Sequence, residues 1–166
     1  MTIEAAKSLL SSGKYIEAAE LLDSMISKKP ESDRLWYLRG IASLKAGNHR
    51  GAQQSFIKAA FIRKRADYYR MMGIAHMEIF ELEDAIYAFQ TAFELDKKDV
   101  LSAFFLAVCY TFFDSPKAVE YIKKANKIDK KKTKQLLNNF YAAFFGGSKK
   151  LDAKTKKNLR DALKRI

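Results

Sequence analysis

Residues 36–59 read WYLRGIASLKAGNHRGAQQSFIKA, and residues 69–92 read YRMMGIAHMEIFELEDAIYAFQTA. With a shift of 33, Gly40, Ala52, Phe56 and Ala59 fall on Gly73, Ala85, Phe89 and Ala92. A weaker copy lies upstream, where Gly13, Ala18, Leu22 and Met25 precede Gly47, Ala52, Phe56 and Ala59 by 34. Downstream, Ala107, Ala118, Ile122 and Ala125 follow the second set by 33 or 34. A fixed period of this size marks a repeat architecture, in which each unit buries its apolar face against its neighbours.

Each unit reads as two amphipathic helices joined by a short turn. In the second, Ser32 or Asp33 caps a helix running to about Ala46, Gly47-Asn48 breaks it, and Asn48 caps a helix over about 49–63. Ala52, Phe56, Ala59 and Ala60 form a stripe at i, i+4, i+7 and i+8. Small residues at Gly40, Gly73 and Ala107 fit places where one helix crosses its partner closely, and Phe56 and Phe89 supply the side chains that fill the adjoining holes.

These residues carry a family resemblance. Trp36-x3-Gly40 followed by Ala52-x3-Phe56-x2-Ala59 resembles the tetratricopeptide repeat, as does Tyr69-x2-Met72-Gly73 followed by Ala85-x3-Phe89-x2-Ala92. Ala18-x3-Leu22 with Pro30 is similar to a first unit, and Ala107-x2-Tyr110 with Ala118-x3-Ile122-x2-Ala125 to a fourth. Arg39 and Ser43 depart from the pattern, standing where large apolar residues are usual, and in the fourth unit Asp114-Ser115-Pro116 provides a cap and a helix-starting Pro. The resemblance implies an all-α, right-handed superhelical solenoid of antiparallel helix pairs. Its units are about 1–32, 33–65, 66–98 and 99–132, closed by C-terminal capping helices over 133–166. In that last segment Leu136, Leu137, Phe140, Tyr141, Phe144 and Phe145 belong to one helix, ended by Gly146-Gly147. Asp152–Ile166 forms another, with Leu159, Ala162, Leu163 and Ile166 on one stripe. A mobile basic tail after residue 150 is the alternative.

Composition agrees with a helical array. Hydrophobic residues make up 48% of the 166, too many for a disordered polymer, and 7 Gly with 2 Pro are too few for a turn-rich β-sandwich. A single cysteine, Cys109, lies in an apolar helical run; it excludes an internal disulfide and suits a reducing compartment. The first ten residues contain Glu4 and Lys7 and lack the apolar core of a signal peptide, and no run of 18 apolar residues occurs, so a cytoplasmic location is expected. The net charge of +12 is uneven. Residues 1–116 balance 15 Lys and Arg against 15 Asp and Glu, and the last 50 residues carry 16 against 4.

The sequence offers no nucleophile with its base and no phosphate-binding glycine loop, and the expectation is a protein that is not an enzyme and uses no cofactor. Neither histidine, His49 or His76, has a carboxylate or Cys at metal-ligand spacing, so no metal is expected and His76 reads as a satisfied core or rim histidine. Glu81, Glu83 and Asp84 read as acidic residues favoured at a helix start.

The resemblance implies that first helices line a concave groove. On this chain the groove consists of Arg34, Tyr37, Leu38 and Ile41 from the second unit, then Arg70, Met71, Ile74 and Met77 from the third. Phe104, Phe105, Val108 and Phe112 come from the fourth, with Ile3, Glu4 and Lys7 from the first. The family branch that grips a peptide's C-terminal carboxylate uses Lys, Asn and Arg; the matching positions here are Ile3, Lys7, Leu38, Asp67 and Met71, so the clamp is missing but for Lys7. The expected function is therefore a scaffold or adaptor that binds an apolar or amphipathic segment of another protein in an apolar groove. A chaperone shielding an apolar client segment, similar to secretion translocator chaperones, is one alternative. Filling of the groove by the chain's own last helix, or by self-association, is another. The basic third carries Lys123, Lys127, Lys130, Lys131, Lys132 and Lys134, then Lys149, Lys150, Lys157 and Arg160. Its density suits an acidic protein partner or a plain solubilising surface, with nucleic acid or an anionic surface as the alternative.

Overall fold

Among the described residues, four turns between successive helices bend through the same left-handed corner. Gly13 (φ 76°), Gly47 (φ 79°), Phe80 (φ 60°) and Asp114 (φ 51°) occupy it in turn. At each corner two hydrogen bonds close the preceding helix. Gly47 N–H donates to Leu44 O at 3.2 Å and Asn48 N–H to Ser43 O at 2.8 Å. Phe80 and Glu81 donate likewise to Met77 O and His76 O, both at 3.0 Å. This termination satisfies helix carbonyls that would otherwise lack partners.

The computed structural model describes residues 2–145. Those residues form nine helices and no strand. They are α1 Ile3–Ser11, α2 Tyr15–Ile26, α3 Asp33–Lys45, α4 His49–Ile62, α5 Ala66–Glu78, α6 Leu82–Leu95, α7 Val100–Phe112, α8 Lys117–Ile128 and α9 Lys130–Phe145. The expected cap is in place at α4, where the Asn48 side chain accepts from Gly51 N–H at 2.9 Å. Helix α8 starts at Lys117 with Pro116 at the cap position, one residue later than expected, and Ser115 Oγ accepts from Lys117 N–H at 3.4 Å. Helix α9 starts at Lys130, ahead of the expected boundary at 133, because Asp129 caps it by accepting from Lys132 N–H at 2.8 Å. The expected helix over 152–166, and Lys149, Lys150, Lys157 and Arg160, lie outside the described residues.

The chain divides into two compact units, Met1–Ala88 and Phe89–Ile166. In the first, Ala6, Ala18, Leu22, Ile26, Leu35, Leu38 and Ala42 form a continuous core across α1, α2 and α3. Phe56 of α4 is fully buried against Gly40 of α3, as the stripe predicts. Arg39 has a structural reason for departing from the repeat pattern. Its Nη1 donates to Gly51 O at 3.0 Å and Ser55 Oγ at 3.1 Å, and its Nε pairs with Asp23 at 3.1 Å, tying α2, α3 and α4 together.

In the second unit α7 is apolar nearly all round and is buried on nearly all sides, with Ala103, Phe104, Leu106, Ala107, Val108 and Cys109 all inside. Its start is capped by Asp99, which accepts from Leu101 N–H and Ser102 N–H and from Ser102 Oγ at 2.7 Å. Phe105 stacks on Phe89 with centroids 5.2 Å apart, and Phe104 meets Phe140 of α9 edge-on at 6.1 Å. Tyr121 of α8 sits between Phe93 and Tyr110, and Lys97, Lys117 and Lys124 each lie over one of these three rings.

Candidate functional site

The residues expected to line a groove in the first compact unit lie on α1, α3 and α5, and the last two helices are joined by a ring stack between Tyr37 and Tyr68 at 4.8 Å. Tyr68 Oη donates to Asp33 at 3.0 Å; burial and this bond push its phenol up to about 12. Burial, then the nearby Asp67 carboxylate, also raise Tyr37 above the ordinary tyrosine value. Arg34 is exposed, and Tyr37, Ile41, Arg70, Met71, Ile74 and Met77 are half-buried, so they retain surface that a partner can reach. Leu38 is 9% exposed and belongs to the core.

In the second unit Phe105 and Phe112 are half-buried, whereas Phe104 and Val108 are 2% and 4% exposed. Helix α9 contributes Phe140 against Phe104, so the chain itself covers part of the face that the register assigns to the groove. Leu38, Phe104 and Val108 thus support the fold and offer a partner almost no surface.

A cleft of about 410 Å3 opens where α1, α2 and α3 meet, lined by Thr2, Ile3, Glu4, Met25, Lys28, Lys29, Ser32 and Leu35. It includes two of the first-unit positions, Ile3 and Glu4, and extends beyond them to the end of α2. Of the basic residues, Lys123, Lys127, Lys130, Lys131, Lys132 and Lys134 are all exposed on α8 and α9. Lys130, Lys131 and Lys132 stand at the start of α9, where the positive end of the helix dipole disfavours cations.

His76 is 6% exposed, in keeping with a core or rim histidine, but the spacing argument about its neighbours needs correction. Its Nδ1 lies 2.9 Å from Glu81 Oε2, and the ligand atoms of His76, Glu81 and Asp84 all fall within 4.8 Å of one another. The separation spans a helix end, a left-handed corner and a new helix start, so no single-helix spacing rule detects it. Gln53 Nε2 of α4 also donates to Glu81 Oε2, and Arg50 Nη1 pairs with Oε1 at 3.2 Å. The hydrogen bond from His76, then the His76 and Arg50 charges, hold the Glu81 carboxyl below the usual carboxylate range. His49 opens α4 half-buried and apart from this cluster's ligand set. No helix of the described residues is long and apolar enough to cross a membrane.

Comparison with known proteins places this geometry. The tetratricopeptide repeat profile matches residues 9–73. No curated protein matches the chain. A crystal structure of MamA is similar over 99% of this chain and 95% of its own, with a TM-score of 0.75 at 21% identity. Another structure of MamA covers 98% of this chain and 88% of its own, with a TM-score of 0.76 at 21% identity. The first tetratricopeptide domain of Spaghetti (RPAP3), solved bound to the HSP90 peptide SRMEEVD, covers 68% of this chain and 90% of its own, with a TM-score of 0.65 at 19% identity. At these identities the likeness is one of fold. Residues 9–73 carry the tetratricopeptide repeat match, and the consecutive helix pairs of the described residues have the fold of such repeats.

Proposed function

We propose that the chain is a binding scaffold without chemistry of its own, holding an apolar or amphipathic segment of a partner protein against α3 and α5. The observation that carries this reading is the accessible row Ile41, Met71, Ile74 and Met77, flanked by Arg34 and Arg70, on helices already fixed by the Tyr37–Tyr68 stack. Methionines adapt to varied apolar shapes, and the preformed helices keep the ordering cost of binding low. Shielding of an apolar client segment is a special case of the same contact. The test is capture of a partner from native extract by wild-type protein and by a Met71→Glu, Ile74→Glu variant with an unchanged circular dichroism spectrum. Loss of the partner supports the site; undiminished capture by the variant overturns it. The clamp positions Ile3, Leu38, Asp67 and Met71 predict no measurable affinity for SRMEEVD.

The exposed lysines of α8 and α9 favour a second contact, with an acidic protein surface rather than with nucleic acid. The aromatic rings beside them are occupied in packing and do not form a stacking platform. Binding of single-stranded nucleic acid at low ionic strength that collapses steeply with salt would reverse that choice.

A further inference from the structure

We propose that His76, Glu81 and Asp84 form a site for a divalent transition-metal ion of the zinc type. His76 lies on α5, two residues before its end, and is held by packing at 6% exposure. Phe80 then adopts a left-handed conformation, and Glu81 N–H returns to His76 O at 3.0 Å. That corner brings Glu81 Oε2 to 2.9 Å from His76 Nδ1, while Asp84 follows in the first turn of α6. Zinc bonds of about 2.0–2.1 Å in a tetrahedron place donor atoms about 3.3 Å apart. The three donor atoms lie within 4.8 Å of one another, and Asp84, the exposed member, has room to move toward the other two.

The donor set selects the class of ion. One imidazole nitrogen with two carboxylate oxygens suits zinc, nickel or cobalt, whereas magnesium and calcium seek oxygen alone. Gln53 already points its amide at the same spot, 3.2 Å from Nδ1, and half a turn of that amide presents Oε1 as a neutral fourth donor. The ion takes the Nδ1 lone pair, and the proton of the neutral ring then resides on Nε2. Arg50 acts in two directions: it holds Oε1 aside and leaves Oε2 facing the imidazole, and its charge opposes the incoming cation. The corresponding pairs at the other three corners are Leu9 with Lys14, Ser43 with Asn48, and Tyr110 with Ser115, none of them an imidazole facing a carboxylate.

Isothermal titration of the metal-stripped full chain with zinc chloride tests the site, with cobalt(II) absorption as the geometric readout. The expected result is one ion per chain, with no heat from magnesium chloride. Asp84→Asn, at an exposed position, should weaken zinc binding by about tenfold or more and abolish the visible cobalt bands. Glu81→Gln should do the same, and Arg50→Ala should leave affinity unchanged or raise it. No zinc binding at millimolar concentration by folded wild type overturns the proposal, as does binding that survives both Asp84→Asn and Glu81→Gln unaltered.

Discussion

Replacing Gly40 by alanine tests whether the repeat's small position exists because of the phenylalanine it faces. A Cβ at Gly40 would stand 2.6, 2.7 and 2.9 Å from Phe56 Cε1, Cδ1 and Cζ. Carbon atoms rest comfortably at about 3.5–4.0 Å, so the ring must retreat by about 1 Å. Phe56 is fully buried and also packs on Tyr37 at 5.9 Å, so it has no free side toward which to move. Overpacking of this kind costs about 1–3 kcal/mol, whereas Gly to Ala inside a helix gains about 1 kcal/mol. The tight contacts favour the upper half of the cost, leaving a net loss of about 1–2 kcal/mol. Urea unfolding followed by the fluorescence of Trp36, the single tryptophan, reads this as a lower midpoint with unchanged slope. In a Phe56→Leu background the ring is gone, and Gly40→Ala should stabilise by about 1 kcal/mol, giving a coupling of about 2–3 kcal/mol. A raised midpoint in the wild-type background, or a coupling below about 0.5 kcal/mol, would refute the reasoning.

Gly51→Ala provides a contrast, because the atoms nearest its new Cβ are those of the Asn48 side chain, at 2.7–3.0 Å. Displacing that cap costs about 1 kcal/mol and the helix gains about as much, so the urea midpoint should stay near wild type; a fall as large as that of Gly40→Ala would contradict this. Cys109 is buried, and burial pushes its thiol from 9.0 up to about 12. A disulfide reagent such as DTNB should therefore label it only after unfolding, and labelling at the rate of a free thiol at pH 8 would show the second unit open. The sign of the linkage follows: a raised folded pKa contributes stability that is fully present below about pH 9 and is lost as pH rises toward 12. Alkaline titration of Cys109→Ala against wild type should show the wild type losing more stability over that window.

The helix pairs were legible because each level of the sequence agreed. The expected helix over about 49–63 is α4 at His49–Ile62, since the Asn48 cap and the apolar stripe specify the same start and the same buried face. Arg39 looked like a departure because its partners are distant in sequence. The guanidinium of Arg39 finds Asp23, Gly51 O and Ser55, and a periodic pattern records that position only as polar. Exposure was not legible in the repeat register: Phe104, which the register assigns to the groove, is buried with Phe140 of α9 packed against it, and that contact depends on where α9 begins after Asp129.

The His76 cluster was hidden by reading residues where positions should have been read. Gly13 and Gly47 announce a left-handed corner by their chemistry, whereas Phe80 and Asp114 announce nothing. A bulky side chain at positive φ costs about 1–2 kcal/mol, which local propensity alone would avoid. Phe80 stands 33 residues after Gly47, at the equivalent position of the repeat. Once the corner is granted, Glu81 takes the place of Asn48 and His76 that of Ser43, each pair joined by the same backbone hydrogen bond, at 3.0 Å and 2.8 Å. A turn that in the second repeat sets an amide cap beside a serine sets, in the third, a carboxylate against an imidazole. The backbone is the constant in this array, and any chemistry it holds arises where substitution at equivalent positions changes what the same corner brings together.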